Sequence, residues 1–259
     1  MSSNGLKFTV LGSGTSSGVP TVSCKCPTCI STDKRDKRLR TSLLVQSETT
    51  NVVIDTTPDF RQQMLLYNID RLDAVVFTHA HFDHIGGLDD LRAYNYTTKK
   101  AVRIFANLQT IERIKRTFFY IFEEPEQIGG GIPILDINII DEAPFTIGDI
   151  TFEPLPLLHG KMPVLGFRIG NLAYCTDTNF IPETTIDKMQ GLEILILDAL
   201  RYEPHSTHFN LNKAIEVSQK INARKTYFIH IAHQILHSQC EKELPEGFYL
   251  TYDGLTLYT

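Results

Sequence analysis

His79, His81, Asp83 and His84 stand close together in the stretch Thr78-His79-Ala80-His81-Phe82-Asp83-His84-Ile85-Gly86-Gly87. Imidazole nitrogens and a carboxylate oxygen suit zinc, manganese or iron. Four such groups on so short a loop do not fit comfortably around one tetrahedral ion. They can be divided between two ions lying side by side. The apolar run Ala74-Val75-Val76-Phe77 precedes the motif and reads as a strand, so the ligand-rich loop begins where that strand ends.

More polar residues occupy the ends of apolar runs. His159 follows Leu155-Pro156-Leu157-Leu158, Asp177 follows Leu172 to Thr176, Asp198 follows Ile194 to Leu197, and His230 interrupts the run that begins Tyr227-Phe228-Ile229. A single case of this kind reads as a turn cap. Four of them, in a chain that also carries the histidine motif, point to a shared site. Asp55 ends residues 51–54 in the same way; it and Asp198 read equally well as strand-end caps and as groups that orient ligand imidazoles through N–H···O bonds. Three of the five cysteines are crowded into Cys24-Lys25-Cys26-Pro27-Thr28-Cys29, a spacing that suggests a metal site before it suggests disulfides. Cys175, inside an apolar run, reads as a small core residue, and Cys240 receives no role.

The elements that must position these groups alternate along the chain. Strands are expected at 6–11, 42–46, 51–54, 74–77, 102–106, 134–140, 150–154, 165–169, 172–176, 194–197, 225–231 and 248–252. Helices are expected at 59–66, 88–96, 108–122, 182–189 and 211–221. Gly12-Ser13-Gly14-Thr15-Ser16-Ser17-Gly18 reads as a tight turn near a site; Pro20 and the cysteines follow it, where a phosphate-binding loop would open a helix. Residues 31–40 are charged and read as an exposed connection, and the glycines at 129–131 read as a chain break. Strands with interspersed helices in each half fit an α+β fold in which two mixed sheets pack face to face with helices outside, an αββα sandwich, in one domain over residues 1–259.

Composition bounds the partners. A chain of 259 residues with 42% hydrophobic residues can bury a large core. Its formal net charge of −5 supplies no global basic field, so stable nucleic-acid binding is not expected. No apolar run reaches the roughly 18 residues of a membrane span. The first residues carry no basic-then-apolar leader pattern, and the expected location is the cytoplasm.

The motif His79, His81, Asp83 and His84, with His159, Asp177 and His230 downstream, resembles the metallo-β-lactamase superfamily of hydrolases over nearly the whole chain. The resemblance implies one metal on His79, His81 and His159, another on Asp83, His84 and His230, and Asp177 bridging them. The Gly-Val-Pro at 18–20, the cysteine cluster, His208 and the run His230-Ile231-Ala232-His233-Gln234 are similar to the branch of phosphodiesterases that act on cyclic phosphates of ribose. That branch implies a separate structural zinc on Cys24, Cys26, Cys29 and His233. Three thiolates and one imidazole do complete a closed tetrahedral site.

Two metals about 3.5–4 Å apart can hold a hydroxide that is nucleophilic at neutral pH and stabilise both the attacking and the leaving oxygen. Asp83 would orient it. The resemblance gives His208 the proton needed by a leaving alkoxide; His205 is a weaker candidate, for phosphate contact, and His237 reads as a surface or structural residue. The expected function is therefore a phosphodiesterase using two zinc or manganese ions on small cyclic or nucleotide-like phosphate esters, with a small-molecule phosphate ester as partner and room for a homodimer. A tRNA 3′-end processing nuclease is the alternative, but Glu112, Glu123, Glu124 and Glu126 offset Arg113, Lys115 and Arg116, so no sustained basic arm is evident. A thioester or lactone hydrolase is a third reading of the same metals. The resemblance finds a ligand at every expected position, against an idle scaffold, and the superfamily's redox members carry glutamate where His81 stands, which implies hydrolysis here. The stretch from Gly86 to His159 is longer than its counterpart in the cyclic-phosphate branch and is expected to cover the mouth.

Overall fold

The computed structural model describes residues 5–123 and 131–259. Outside them lie residues 1–4, on which the leader expectation falls, and 124–130, which hold Glu124, Glu126 and most of the glycine break.

In chain order the first half runs β1 (Lys7–Gly12), α1 (Pro27–Ile30), β2 (Ser42–Gln46), β3 (Asn51–Ile54), α2 (Phe60–Leu66), β4 (Ala74–Val76), α3 (Phe82–Ile85), α4 (Arg92–Thr98), β5 (Val102–Ala106), α5 (Leu108–Thr117), α6 (Phe119–Phe122) and β6 (Leu135–Ile139). The second half runs β7 (Phe145–Ile147), β8 (Ile150–His159), β9 (Met162–Ile169), β10 (Leu172–Cys175), α7 (Glu183–Lys188), β11 (Ile194–Asp198), α8 (Leu211–Ile221), β12 (Lys225–Ile229), α9 (His237–Glu243), β13 (Phe248–Leu250) and β14 (Thr256–Tyr258). The strands form two sheets, ordered β14-β1-β2-β3-β4-β5-β6 and β13-β12-β11-β10-β9-β8-β7. Each changes from antiparallel to parallel pairing partway across, the first at β3 and the second at β10. The carboxyl ends of parallel strands are where open α/β sheets place ligands. Here those ends carry Asp55, the histidine motif, Asp177, Asp198 and His230.

Period-two burial explains the layers. In β11, Ile194 and Ile196 face the core between the sheets, while Leu195 and Leu197 face the helices outside. The inter-sheet core joins Phe8, Val10 and Val52 of one sheet to Phe152, Phe167 and Tyr174 of the other. The outer face of the first sheet is covered by Phe60, Ile85, Ile111 and Ile114, and that of the second by Ile186, Ala214, Val217 and Cys240. This is the αββα sandwich expected. No helix of the described residues is long and apolar enough to cross a membrane.

Three local expectations need correction. The helix expected over 108–122 breaks at Phe118, giving α5 and α6, because Phe118 leaves helical geometry and turns its ring into the core. β8 runs on to His159 through Pro154 and Pro156. β7 pairs only with Ile150 to Phe152 and the next bridge on that edge is Leu158 to Phe180, so at Pro154 and Pro156 a missing N–H costs no ladder bond.

The third correction is larger. Residues 31–40 are not simply an exposed connection, because Asp36 and Arg38 are fully buried. The Arg38 guanidinium donates to the Asp36 carboxylate at 3.0 Å and to the carbonyls of Ala232 at 3.1 Å and Ile235 at 2.8 Å. Asp36 also accepts from the His237 backbone amide at 2.9 Å, and His237 itself is buried, a structural residue and not a surface one. Charge in a sequence signals exposure only when nothing inside pairs with it. Arg38→Met is expected to destabilise the protein by about 3–5 kcal/mol, since removing one partner leaves the other buried charge uncompensated. Urea unfolding measures this, and a loss below about 1 kcal/mol would contradict the reading.

Candidate metal centre

The motif loop is fixed from behind. Asp55, the residue after β3, accepts from the Thr78 amide at 2.9 Å, the Thr78 hydroxyl at 2.8 Å and His84 Nδ1 at 2.8 Å. The Thr78 hydroxyl, already donating to Asp55, accepts from His79 Nδ1 at 3.0 Å. The Thr207 carbonyl accepts from His159 Nδ1 at 2.7 Å. In each case one ring nitrogen is used behind the site, which leaves Nε2 for a metal. Gly87 lets the loop lie down: a Cβ there would stand 2.3 Å from the Thr57 carbonyl oxygen and 2.5 Å from the Phe60 Cβ.

Asp55, Asp177 and His230 all have positive φ, at 67°, 51° and 62°. Side chains with a Cβ avoid that region, and such strain gathers at functional sites. Each of the three turns the chain sharply at a strand end. The Gly-rich loop holds His230 in place, since Ser13 accepts from the Ile231 amide at 2.9 Å and Thr15 donates to the Ile231 carbonyl at 3.2 Å.

The structure brings the seven residues of the proposed dinuclear site together. Ligand atoms of His79, His81 and His159 form one group and those of Asp83, His84, Asp177 and His230 another, each within 4.8 Å. Asp177 stands between them, with Oδ1 3.2 Å from His84 Nε2, and Oδ2 3.4 Å from His230 Nε2 and 3.9 Å from His79 Nε2. Asp83 Oδ2 is 3.4 Å from His84 Nε2 and 3.7 Å from His230 Nε2. His79 Nε2 and His81 Nδ1 are 3.1 Å apart.

Electrostatics fits a pair of cations. Burial drives the His79 imidazole well below its ordinary range and lowers those of His81 and His159, which leaves them neutral, as ligands must be. Burial opposes the charge on Asp177, yet the facing His230 and His84 hold it well below the carboxylate range; His84 does the same for Asp83. The Nε2 atoms of His84 and His230 are buried without any hydrogen-bond partner. The carboxylates of Asp177, Asp83 and Asp55 draw the His84 imidazole well above its ordinary range despite burial, so a cation there would displace a proton. Neutral His79, His81 and His159, ionised carboxylates and orphaned inward nitrogens form a donor set suited to divalent zinc or manganese. Asp55→Asn is expected to weaken metal binding about 10–100-fold by withdrawing the acceptor behind His84. Unchanged affinity in a metal titration would remove Asp55 from this role.

His208 lies beside the clusters. A ring nitrogen of His208 is within 4.8 Å of ligand atoms of His159 and Asp177. Its Nδ1 bonds Asp198 Oδ2 at 2.8 Å, and the same oxygen accepts from the Thr178 amide at 2.9 Å. Burial opposes the charged imidazole, but the Asp198 carboxylate outweighs it and holds His208 at about 9. Asp198 Oδ1 is 3.9 Å from His230 Nδ1, too far for a bond. Asp55 and Asp198, which the sequence left between caps and orienting groups, therefore both support histidines. His205 is exposed, 5.2 Å ring to ring from His208. Thr78 and Thr207 were not foreseen; nothing but their place beside His79 and His208 marks them in the sequence.

A second cluster adjoins the first. His233 Nδ1 is 3.2 Å from Cys24 Sγ, 3.5 Å from Cys26 Sγ and 3.7 Å from Cys29 Sγ, and none of these cysteines is in a disulfide. Burial raises Cys29 to about 11. Cys26 is held at about 6 against burial by the Cys29 amide and the neighbouring thiols. Three convergent sulfurs and an imidazole are a donor set for zinc. Cys175 is a core residue as expected, buried against Met189, and Cys240 is buried too.

Two mixed seven-stranded sheets under outer helices, with a histidine–carboxylate centre at their carboxyl edge, define a metallo-β-lactamase-fold protein. A model described as "Beta-lactamase superfamily domain" matches residues 50–231. The crystal structure of a diphosphatase of the PhnP family is 40% identical, with a TM-score of 0.92, covering 98% of this chain and 97% of that one. The chain belongs to the PhnP family within the β-lactamase superfamily. It is also 39% identical over 254 residues to an octanoyltransferase of Porphyromonas gingivalis; the match takes in 96% of this chain but spans about half (51%) of that relative's length. Human tRNase Z, short form, shares the fold at 16% identity and a TM-score of 0.68, covering 97% and 98% of the two chains.

Proposed function

We propose that residues 1–259 form a metal-dependent hydrolase of small phosphate esters, a phosphodiesterase on cyclic or nucleotide-like substrates. His79, His81 and His159 would hold one divalent cation and Asp83, His84 and His230 a second, with Asp177 available to both; Cys24, Cys26, Cys29 and His233 would hold a structural zinc. When bound, the paired cations lower the pKa of water and draw charge from the phosphoryl oxygens. The chain's own part is positional. Asp83 accepts a hydrogen bond from the attacking water and aims it at phosphorus. Asp198 fixes His208 Nδ1 as the donor of their 2.8 Å bond, leaving Nε2 to pass a proton to the leaving alkoxide.

The observation that carries this reading is the His208–Asp198 pair set beside the clusters. A metal pair alone serves many hydrolyses, but a positioned proton donor next to it answers the need of a poor oxygen leaving group. The likeness to a PhnP-family diphosphatase at 40% identity supports the same class. Thioester or lactone hydrolysis and nuclease action on tRNA are competing outcomes of the same assay. Metal-replete protein is to be given bis(p-nitrophenyl) phosphate, an octanoyl thioester, a lactone and a tRNA precursor. Metal-dependent turnover of the diester is expected. Turnover of the thioester, lactone or tRNA without the diester would overturn the proposal.

A further inference from the structure

Phe82 stands between His81 and Asp83 and is 61% exposed. It opens α3, whose burial is supplied by His84 and Ile85, so packing gives no reason for an aromatic side chain there. Its ring is nevertheless held in place. A Cβ added to Gly86 would stand 3.0 Å from Phe82 Cε1 and 2.9 Å from Pro58 Cγ, so the ring lies back over bare glycine backbone beside the proline. One side of an ordered aromatic ring is thereby supported, while most of the residue stays open to solvent next to two proposed metal ligands. An exposed aromatic placed like this is a stacking platform for a planar ring.

α5 packs in the same outer cluster as α3. Arg113 of α5 is exposed, and it has no ion pair or hydrogen bond with another described residue. The buried Ile111 and Ile114 anchor α5 in the cluster that also holds Ile85. An exposed arginine without a partner among the described residues suits a ligand that carries phosphate.

We infer that Phe82 is a specificity residue that stacks on the aromatic base of a nucleotide, which makes the substrate class of this site the nucleotide esters rather than base-free sugar phosphates. This rests on the phosphoesterase reading for its chemistry, but the recognition it describes is measurable without turnover. AMP and ribose 5-phosphate differ only by the adenine, and both are available as probes.

Calorimetric titration of each into the metal-loaded protein tests it. The wild-type protein should bind AMP about tenfold more tightly than ribose 5-phosphate, the scale of one base–aromatic stack. F82A and F82L should lose that preference, and F82Y and F82W should keep it. Y258A, which removes an equally exposed aromatic from the far edge strand β14, should also keep it. Equal binding of the two probes by the wild-type protein overturns the inference, as does a preference that survives F82A. Absence of diester hydrolysis with the AMP preference intact would sink the phosphoesterase reading and leave base recognition standing.

Discussion

His208→Ala is expected to lower kcat by about 10²–10⁴-fold on a diester with an alkoxide leaving group, the usual range for removing a general acid. The loss should be smaller on bis(p-nitrophenyl) phosphate, because p-nitrophenolate departs with little need of a proton. Metal content should not change. That last point matters because a ring nitrogen of His208 is close enough to His159 and Asp177 to be a ligand instead. Loss of a metal in the H208A protein would make it one. An equal loss of rate on both leaving groups would argue for substrate binding and against proton transfer. Asp198→Asn should reproduce part of the effect, since it weakens the acceptor that orients the imidazole while leaving Nε2 present.

Cys26→Ala should remove one tightly held zinc per chain and lower the unfolding midpoint by roughly 10 °C, because binding energy at such a site is folding energy. The geometry predicts a consequence for activity too. His233 lies three residues beyond His230, and between them Ile231 pairs with the Gly-rich loop. Freed from the cysteines, this segment keeps the Arg38 bonds to the carbonyls of Ala232 and Ile235, the Ala232 amide bond to the Leu200 carbonyl and the loop pairing, but the His233 side chain loses its anchor. Looser binding at the second catalytic metal follows, visible as a higher metal concentration needed for half-maximal rate. Equal zinc content in the C26A and wild-type proteins would refute the structural site.

Much of this was legible in the sequence because the ligands come at the ends of apolar runs. Strand ends are readable from alternation, and His79, Asp177, Asp198 and His230 each follow one. The motif also announces its own loop, as three imidazoles so close together have few other uses. What stayed hidden depends on tertiary pairing. Arg38 and Asp36 sit in a segment whose charges gave the pattern of a solvated connection, and only the carbonyls of Ala232 and Ile235, some two hundred residues on, make their burial tolerable. The prolines of β8 obscured a strand that runs along a free edge. Thr78 and Thr207 act through one hydroxyl and one carbonyl, which leave no compositional trace. The positive φ of Asp55, Asp177 and His230 could not be read either, since none is a glycine or an asparagine.

Two divalent cations, held by the paired clusters, are expected to make this chain a phosphoesterase. Metal titration into chelator-stripped protein, followed by bis(p-nitrophenyl) phosphate hydrolysis, tests it most directly. Turnover should be absent at the start and should reach its maximum with two equivalents bound beyond the cysteine-held zinc. Replacing Asp177 by alanine should abolish that rise. Full diester hydrolysis by the metal-free protein, or metal binding to the two clusters with no diester hydrolysis at all, would contradict the account.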